Sequence, residues 1–249
     1  MPFIDLPTGA RLFYDDQGEG EAYIVLHGFL GTARVQLGQV IDWLSPRYRV
    51  LGPTMRGYGQ SLPKPRDYPY DFYHRDARDV LAFMDALGIE QAHIMGYSDG
   101  GEIALICAGM QPERFKSVVV WGAVGYFGPA MRPVAQRMYP ADWMDEETRA
   151  LNGITDANAV VLGWINAVKY MIDSGGDVSL SLADRISAPL LMMLGDGDTL
   201  NPEQYGRRYV ERTGRGRLVM IPDCGHPVHD QKWERFKQEV GAFLDENAS

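Results

Sequence analysis

Gly96-Tyr97-Ser98-Asp99-Gly100-Gly101 sets a serine among small residues, just after an apolar run ending at Met95 and just before a helix-forming run, Ile103–Met110. A serine hydroxyl is a weak nucleophile at neutral pH unless a base takes its proton. It must also stand clear of the backbone to reach a substrate. A sharp strand-to-helix turn achieves this by crowding together the residues two before and two after the serine. Only glycine or a comparably small residue tolerates that crowding, hence the Gly-x-Ser-x-Gly pattern. The following helix aims free N–H groups and the positive end of its dipole at the site. In its strand–turn–helix context the motif predicts Ser98 as a nucleophile.

A base and an acid to orient it are then expected downstream, in the order serine, acid, histidine. The run Leu190–Leu194 opens into Gly195-Asp196-Gly197-Asp198-Thr199-Leu200-Asn201-Pro202. Either Asp196 or Asp198 could be the acid. Asp198 is preferred, because Asp196 directly follows the turn glycine and suits a capping or solvated role. The run Leu218–Ile221 leads into Pro222-Asp223-Cys224-Gly225-His226-Pro227 before a final helix, so His226 is the expected base. His229, at the start of that helix, is its rival. Upstream, His27-Gly28-Phe29-Leu30-Gly31 follows the run Ala22–Leu26. Alone this is a plain glycine-rich turn. Two strands before the serine, it can supply the Phe29 N–H to an oxyanion hole completed by the Asp99 N–H, with His27 bracing the turn.

Other uses of these residues fit less well. No pair of the five histidines has the i, i+4 spacing with a glutamate that zinc proteases use, and Cys224 and His226 lack a second pair. No metal site is expected. The glycine-rich turns do not match the phosphate-cradling spacings, so no cofactor is implied.

These residues need a scaffold that brings them to one edge. The chain opens as a hairpin, Phe3–Leu6 and Arg11–Asp16 around Pro7-Thr8-Gly9. Short apolar runs at Ala22–Leu26, Val50–Leu51, His93–Met95, Val118–Trp121, Leu190–Leu194 and Leu218–Ile221 read as strands buried on both faces. Amphipathic helices, including Asp71–Leu87 and Gly101–Met110, alternate with several of them. This pattern predicts an α/β fold, a mostly parallel central sheet with helices on both faces. Ser98, Asp198 and His226 would all emerge at the carboxyl edge of the sheet, where open α/β sheets bind ligands. Residues 126–183 carry no strand pattern but many large apolar residues: Met131, Met138, Trp143, Met144, Trp164, Tyr170 and Met171. They are expected to form a helical cap on a core made of residues 1–125 and 184–249. Most of those side chains are expected to be ordinary packing residues. His93, in an apolar strand, reads as a satisfied core residue, and His74, early in a charged helix, as solvated.

The 249 residues are 45% hydrophobic, enough for a sizeable core, and carry a formal charge of −9. That balance argues against a nucleic-acid binder. No apolar run approaches the roughly 18 residues that span a bilayer. The start lacks a secretory signal pattern, and two cysteines make no disulfide framework, so no membrane association and a cytoplasmic location are expected. The sequence leaves the oligomeric state open.

At this point the chain resembles the α/β-hydrolase superfamily. The motifs are His27-Gly28-Phe29-Leu30-Gly31, Arg56-Gly57-Tyr58-Gly59-Gln60-Ser61, Gly96-Tyr97-Ser98-Asp99-Gly100-Gly101, Gly195-Asp196-Gly197-Asp198 and Gly225-His226, in the superfamily's order. The resemblance again selects Asp198 as the acid. Thr54 departs from it, standing where members usually carry an aspartate. More narrowly, Tyr97–Leu105 followed by Val120-Trp121-Gly122-Ala123 is similar to the valacyclovirase, or biphenyl-hydrolase-like, group. There the aspartate after the nucleophile helps to hold a substrate α-amino group. Two readings of Asp99 follow: an amine-binding carboxylate, or a wall residue contributing only its N–H. A carboxylate beside a developing oxyanion is a liability that a bound ammonium would relieve.

The expected function is hydrolysis of carboxylic esters through an acyl-enzyme, with esters or amides of α-amino acids as the narrower class. Acyl transfer to another acceptor, or perhydrolysis, would use the same residues. A ligand-binding protein with an idle triad is the non-enzymatic alternative.

Overall fold

The computed structural model describes residues 2–247. Strands β1 (Phe3–Asp5) and β2 (Arg11–Gln17) form the expected antiparallel hairpin, and β2 also pairs antiparallel with β4 (Arg49–Pro53). The remaining strands, β3 (Ala22–Leu26), β5 (Ala92–Tyr97), β6 (Phe115–Trp121), β7 (Leu190–Gly195) and β8 (Gly216–Ile221), run parallel in the order β1-β2-β4-β3-β5-β6-β7-β8.

Successive side chains of a strand point to opposite faces, and here both faces are covered. Ile24 and Leu26, Val118 and Val120, and Leu190 and Met192 join one core. Tyr23 and Val25, Val119 and Trp121, and Leu191 and Met193 join the other. Each such aliphatic side chain removed from water contributes on the order of 2 kcal/mol. Helices α1 (Ala33–Leu44), capped by the Thr32 hydroxyl on Val35 N–H, and α9 (Trp233–Glu246) close the second core. Helices α2 (Phe72–Ala86) and α3 (Asp99–Met110) close the first. Every residue of α3 from Asp99 to Gly109 is buried, as its apolar run requires.

Between β6 and β7 the chain carries helices α4 (Arg132–Gln136), α5 (Glu146–Asn152) and α6 (Ala157–Asp173) and no strand. A bridge between Tyr126 and Asp177 ties the two ends of this segment together. Met131, Met144, Trp164 and Met171 are buried in the core beneath it. Trp143 and Tyr170 are half-exposed; Tyr170 lies stacked on Tyr70. After β7 come α7 (Glu203–Thr213), then α8 (Val228–Gln231) in the loop past β8.

Three expectations need amendment or gain detail. β8 is buried less than the other parallel strands, because as the sheet's last strand it has only β7 beside it. His74 is half-buried rather than solvated: its Nε2 lies 2.9 Å from the Val178 carbonyl, in the segment between β6 and β7. His93 is buried, with Nδ1 2.7 Å from Ser117 Oγ. Among the described residues no helix is long and apolar enough to cross a membrane, and no cluster of three or more His, Cys, Asp or Glu is placed to hold a metal ion. Cys107 and Cys224 are buried and unpaired.

Candidate active site

Ser98 sits between the last residue of β5 and the first of α3, with φ 53° and ψ −121°. So sparsely populated a backbone conformation costs a non-glycine residue roughly 1–3 kcal/mol and needs its neighbours to hold it. The Ser98 N–H donates to the Trp121 carbonyl (2.9 Å), while its own carbonyl accepts from Gly101 and Glu102 at the start of the helix. The crowding is explicit: a Cβ on Gly96 would lie 2.1 Å from the Gly100 carbonyl oxygen.

The turn carries the Ser98 hydroxyl to His226, whose Nε2 is 2.9 Å from Oγ. His226 lies in the loop between β8 and α8, and its Nδ1 is 2.8 Å from Asp198 Oδ2. The carboxylate at Nδ1 places the imidazole proton there and leaves Nε2 free to accept from the serine. Asp198 is buried, which pushes its pKa up, but hydrogen bonds from His226, Asn201 and the Leu200 N–H prevail and hold it below the usual carboxylate range. The structure therefore brings together all three residues singled out from the sequence. Asp196 is exposed, and its carboxylate accepts from the Cys224 N–H, a loop-bracing role. His229 is buried against Tyr97, its Nδ1 accepting from Trp121 Nε1–H, and it is His226 rather than His229 that lies within hydrogen-bond distance of Ser98.

Asn201 was not visible as a site residue. Its Nδ2 donates to Asp198 Oδ2 (3.1 Å) and to the Gly122 carbonyl (2.9 Å), tying the acid to the end of β6. It stands three residues past Asp198 in an ordinary-looking Leu-Asn-Pro turn, and only the fold shows which acid it serves.

The turn after β3 lies over the serine. Gly28 C=O accepts from Gly31 N–H (3.2 Å) and lies 2.8 Å from His27 Nδ1. His27 Nε2 accepts from Met55 N–H, so Nδ1 carries the proton and donates to Gly28. Burial pushes the His27 pKa down to about 4, so the ring stays neutral at physiological pH. His27 braces the turn and takes no part in proton transfer. In a trans peptide the N–H points opposite the carbonyl, so anchoring Gly28 C=O frees the Phe29 N–H. Neither the Phe29 N–H nor the Asp99 N–H, at the first residue of α3, has a protein acceptor among the described residues. Gln36, from α1, accepts the Gly28 N–H at 2.6 Å and also lines the cavity over the serine.

That cavity, of about 440 Å³, is bounded by Phe29, Gln36, Ser98 and His226 below and by Val134, Met138, Trp164 and Leu200 above and beside them. Neither Lys nor Arg lines it. Asp99 lies in a recess behind Ser98 that Trp164 and Leu200 share with the cavity. It does not bond to backbone as a wall residue would. Oδ1 accepts from Tyr73 Oη–H at 2.6 Å, and Oδ2 lies 3.2 Å from Trp164 Nε1. Burial pushes the Asp99 pKa up to about 6 against these donors. One turn along, Glu102 accepts from the Val124 and Gly125 N–H groups, and burial pushes its pKa up to about 7. The sequence signal for Glu102 is an acid within an otherwise apolar helical run.

An alpha/beta hydrolase fold family matches residues 23–157. The chain is 30% identical over 244 residues to the serine hydrolase BPHL of Mus musculus, covering 95% of this chain and 84% of that protein. It is 28% identical to a 2-hydroxy-6-oxo-6-phenylhexa-2,4-dienoate hydrolase of Burkholderia cepacia, over 94% of this chain and 91% of that one. Among solved structures, a meta-cleavage product hydrolase from Pseudomonas fluorescens superposes with a TM-score of 0.77 at 25% identity, covering 99% of this chain and 98% of that one. The fold is thus shared with enzymes, and the chain belongs to the α/β-hydrolase family as a hydrolase similar to serine hydrolase BPHL.

Proposed function

We propose that the protein is a cofactor-independent serine esterase whose preferred substrates are small carboxylic esters carrying a free α-amino group. The observation that carries this reading is the unbroken chain Ser98 Oγ–His226 Nε2, His226 Nδ1–Asp198 Oδ2 at 2.9 and 2.8 Å, open to an apolar cavity. Ser98 Oγ attacks the ester carbonyl carbon as His226 Nε2 takes its proton. The carbonyl electron pair moves onto oxygen, where the Phe29 and Asp99 N–H groups stabilise it. Collapse breaks the bond to the alcohol, which leaves with the proton from His226. Water, deprotonated by His226, then attacks the acyl-enzyme and releases the acid and Ser98. Asp198 keeps the imidazole in the working tautomer and stabilises its cation.

Asp99 supports the amine preference. Its carboxylate is buried beside the nucleophile and hydrogen-bonded only by the neutral donors Tyr73 and Trp164; Arg66, bound to Asp76, attracts it without a hydrogen bond. An ammonium on the α-carbon would bring a countercharge into direct contact. We place the cap at residues 126–183 and assign it the shaping of the acyl and alcohol pockets through Val134, Met138 and Trp164. The two unpaired cysteines suit a reducing, cytoplasmic setting.

A second reading comes from the relative named as a dienoate hydrolase. A dienoate carries a carboxylate, and the cavity offers it no Lys or Arg but a neighbouring acid. Charge therefore favours the amino ester. The test is a rate panel of matched esters with and without a free α-amino group, with a 2-hydroxy-6-oxo dienoate as a further arm. The proposal expects the aminated esters to be preferred and that preference to vanish in Asp99→Asn. Equal rates for both ester sets would remove the amine preference, and turnover of the dienoate alone would replace the esterase reading.

A further inference from the structure

Asn152 is the last residue of α5 in the cap segment, and it is only 4% exposed. Two of the three hydrogen bonds of its side-chain amide reach other parts of the chain, and the third goes back one turn within α5. Nδ2 donates to the Leu30 carbonyl (2.9 Å) and to the Thr148 carbonyl (3.1 Å). Oδ1 accepts from the Gly59 N–H (2.8 Å), in the loop after β4. Leu30 belongs to the turn over the nucleophile and has φ 60°, a conformation that a leucine holds only when its surroundings impose it.

The Leu30 carbonyl shares a peptide with the Gly31 N–H, and that N–H donates to the Gly28 carbonyl (3.2 Å). The Gly28 carbonyl in turn shares a peptide with the Phe29 N–H. The cap amide thus stands at the head of a series: Asn152 Nδ2–H to Leu30 C=O, Gly31 N–H to Gly28 C=O, and at its end the free Phe29 N–H. Hydrogen bonds in series orient and polarise one another. Phe29 is pinned a second time by its ring, 5.3 Å from that of Trp164 on α6.

We propose that Asn152 is a positioning residue, through which the cap segment aims and polarises the Phe29 N–H of the oxyanion hole. This rests on the serine-esterase reading above. In it the Phe29 N–H meets charge only as Ser98 adds to the carbonyl and the electron pair reaches oxygen. Losing Asn152 should therefore weaken the tetrahedral state more than the bound ester. The lesser alternative is that Asn152 merely fastens the cap, as Lys64 does where its Nζ donates to the Asn152 carbonyl at 3.0 Å.

The experiment compares the wild-type protein with Asn152→Ala, Asn152→Leu and Lys64→Ala. Ala and Leu differ in volume, so a shared effect cannot come from a void or from overpacking alone. Each is measured for kcat and KM on one ester and for affinity toward a trifluoromethyl ketone, whose adduct with Ser98 carries an oxyanion. The proposal expects both Asn152 variants to lose about 10- to 100-fold in kcat, less than the roughly 100- to 1,000-fold for removing an oxyanion donor outright, with KM changed less than threefold. Ketone affinity should fall by the same factor as kcat/KM, and Lys64→Ala should stay within twofold of wild type. A raised KM with kcat and ketone affinity intact would overturn it, as would an equal kcat loss in Lys64→Ala. If the Asn152 variants do not fold while Lys64→Ala does, replacing Gly31 by glycolic acid, an amide-to-ester change that removes the middle N–H of the series without adding a side chain, must show the kcat and ketone losses or the proposal fails. Wild-type protein that neither hydrolyses esters nor reacts with a fluorophosphonate would instead sink the parent reading, and this one with it.

Discussion

Gly122, at the end of β6, lies flat against His226: a Cβ there would come 2.8 Å from Cε1 and 3.0 Å from Nδ1 of the imidazole. Its φ of 63° also lies where a side chain is strained. The imidazole therefore owes its place to an absent side chain just past β6. Gly122→Ala should push the ring away from Ser98 or from Asp198, and a displacement near 1 Å costs about 100-fold in rate. Steady-state kinetics alongside a melting curve separate this from unfolding. Unchanged kcat would show that the ring tolerates the shift.

Asp198→Asn leaves the shape of the loop but offers an N–H2 where His226 Nδ1–H needs an acceptor. The imidazole would turn to the tautomer that cannot take the serine proton, and kcat should fall by about 10,000-fold. Asn201→Ala removes only one donor to that carboxylate and the tie to Gly122, so a far smaller loss is expected. Equal losses in the two variants would mean that Asn201 does more than brace the acid.

The preference for aminated esters should itself depend on pH. Asp99, with its pKa raised to about 6, is neutral below that value and attracts an ammonium only above it. A free α-amino group loses its charge near pH 8. The ratio of kcat/KM for aminated over non-aminated esters should therefore rise through pH 6 and decline near pH 8. In Asp99→Asn it should be flat. A ratio independent of pH in the wild-type protein would separate Asp99 from selectivity.

Glu102 sets a stability trend of unusual sign. Its folded pKa of about 7 lies above the 4.5 of an unperturbed glutamate. Between these values the folded state holds a proton that the unfolded state has released. The stabilisation is complete below about pH 4.5 and is lost as pH rises through 7. The span corresponds to something on the order of 3 kcal/mol. Burial lowers the His27 pKa to about 4, so the stability from that group rises with pH up to about 6.5 and opposes the Glu102 trend in the wild-type protein. Glu102 is therefore read from the difference in stability between wild type and Glu102→Gln, measured by denaturant titration from pH 5 to 8: wild type should lose ground to the variant as pH rises through 7. A difference that is independent of pH, or that grows in favour of wild type, would contradict the assignment.

What the sequence revealed about this site, and what it hid, divides along physical lines. Ser98 was legible because the elbow imposes a backbone constraint that glycines at 96 and 100 record locally. Asp198 and His226 were legible because each follows an apolar strand at the same sheet edge. The hairpin and the buried strands were legible from turn residues and apolar runs. The lower burial of β8 was not, since a run of residues does not say whether its strand has one neighbour or two. Asn152 and Glu102 act through partners distant in the chain, and nothing adjacent to them records those partners; Gln36 and Asn201 serve groups only eight and three residues away, but across turns whose shape the sequence does not record. His74 was misread for the same reason: its carbonyl partner, Val178, is 104 residues away.

Peptide mass spectrometry after fluorophosphonate treatment goes straight to the nucleophile, since the probe marks whichever hydroxyl the protein has activated. A single adduct on the peptide bearing residue 98 is expected, formed much more slowly in His226→Ala and not at all in Ser98→Ala. An adduct on a different residue, or none on a preparation that still turns over esters, would contradict the account.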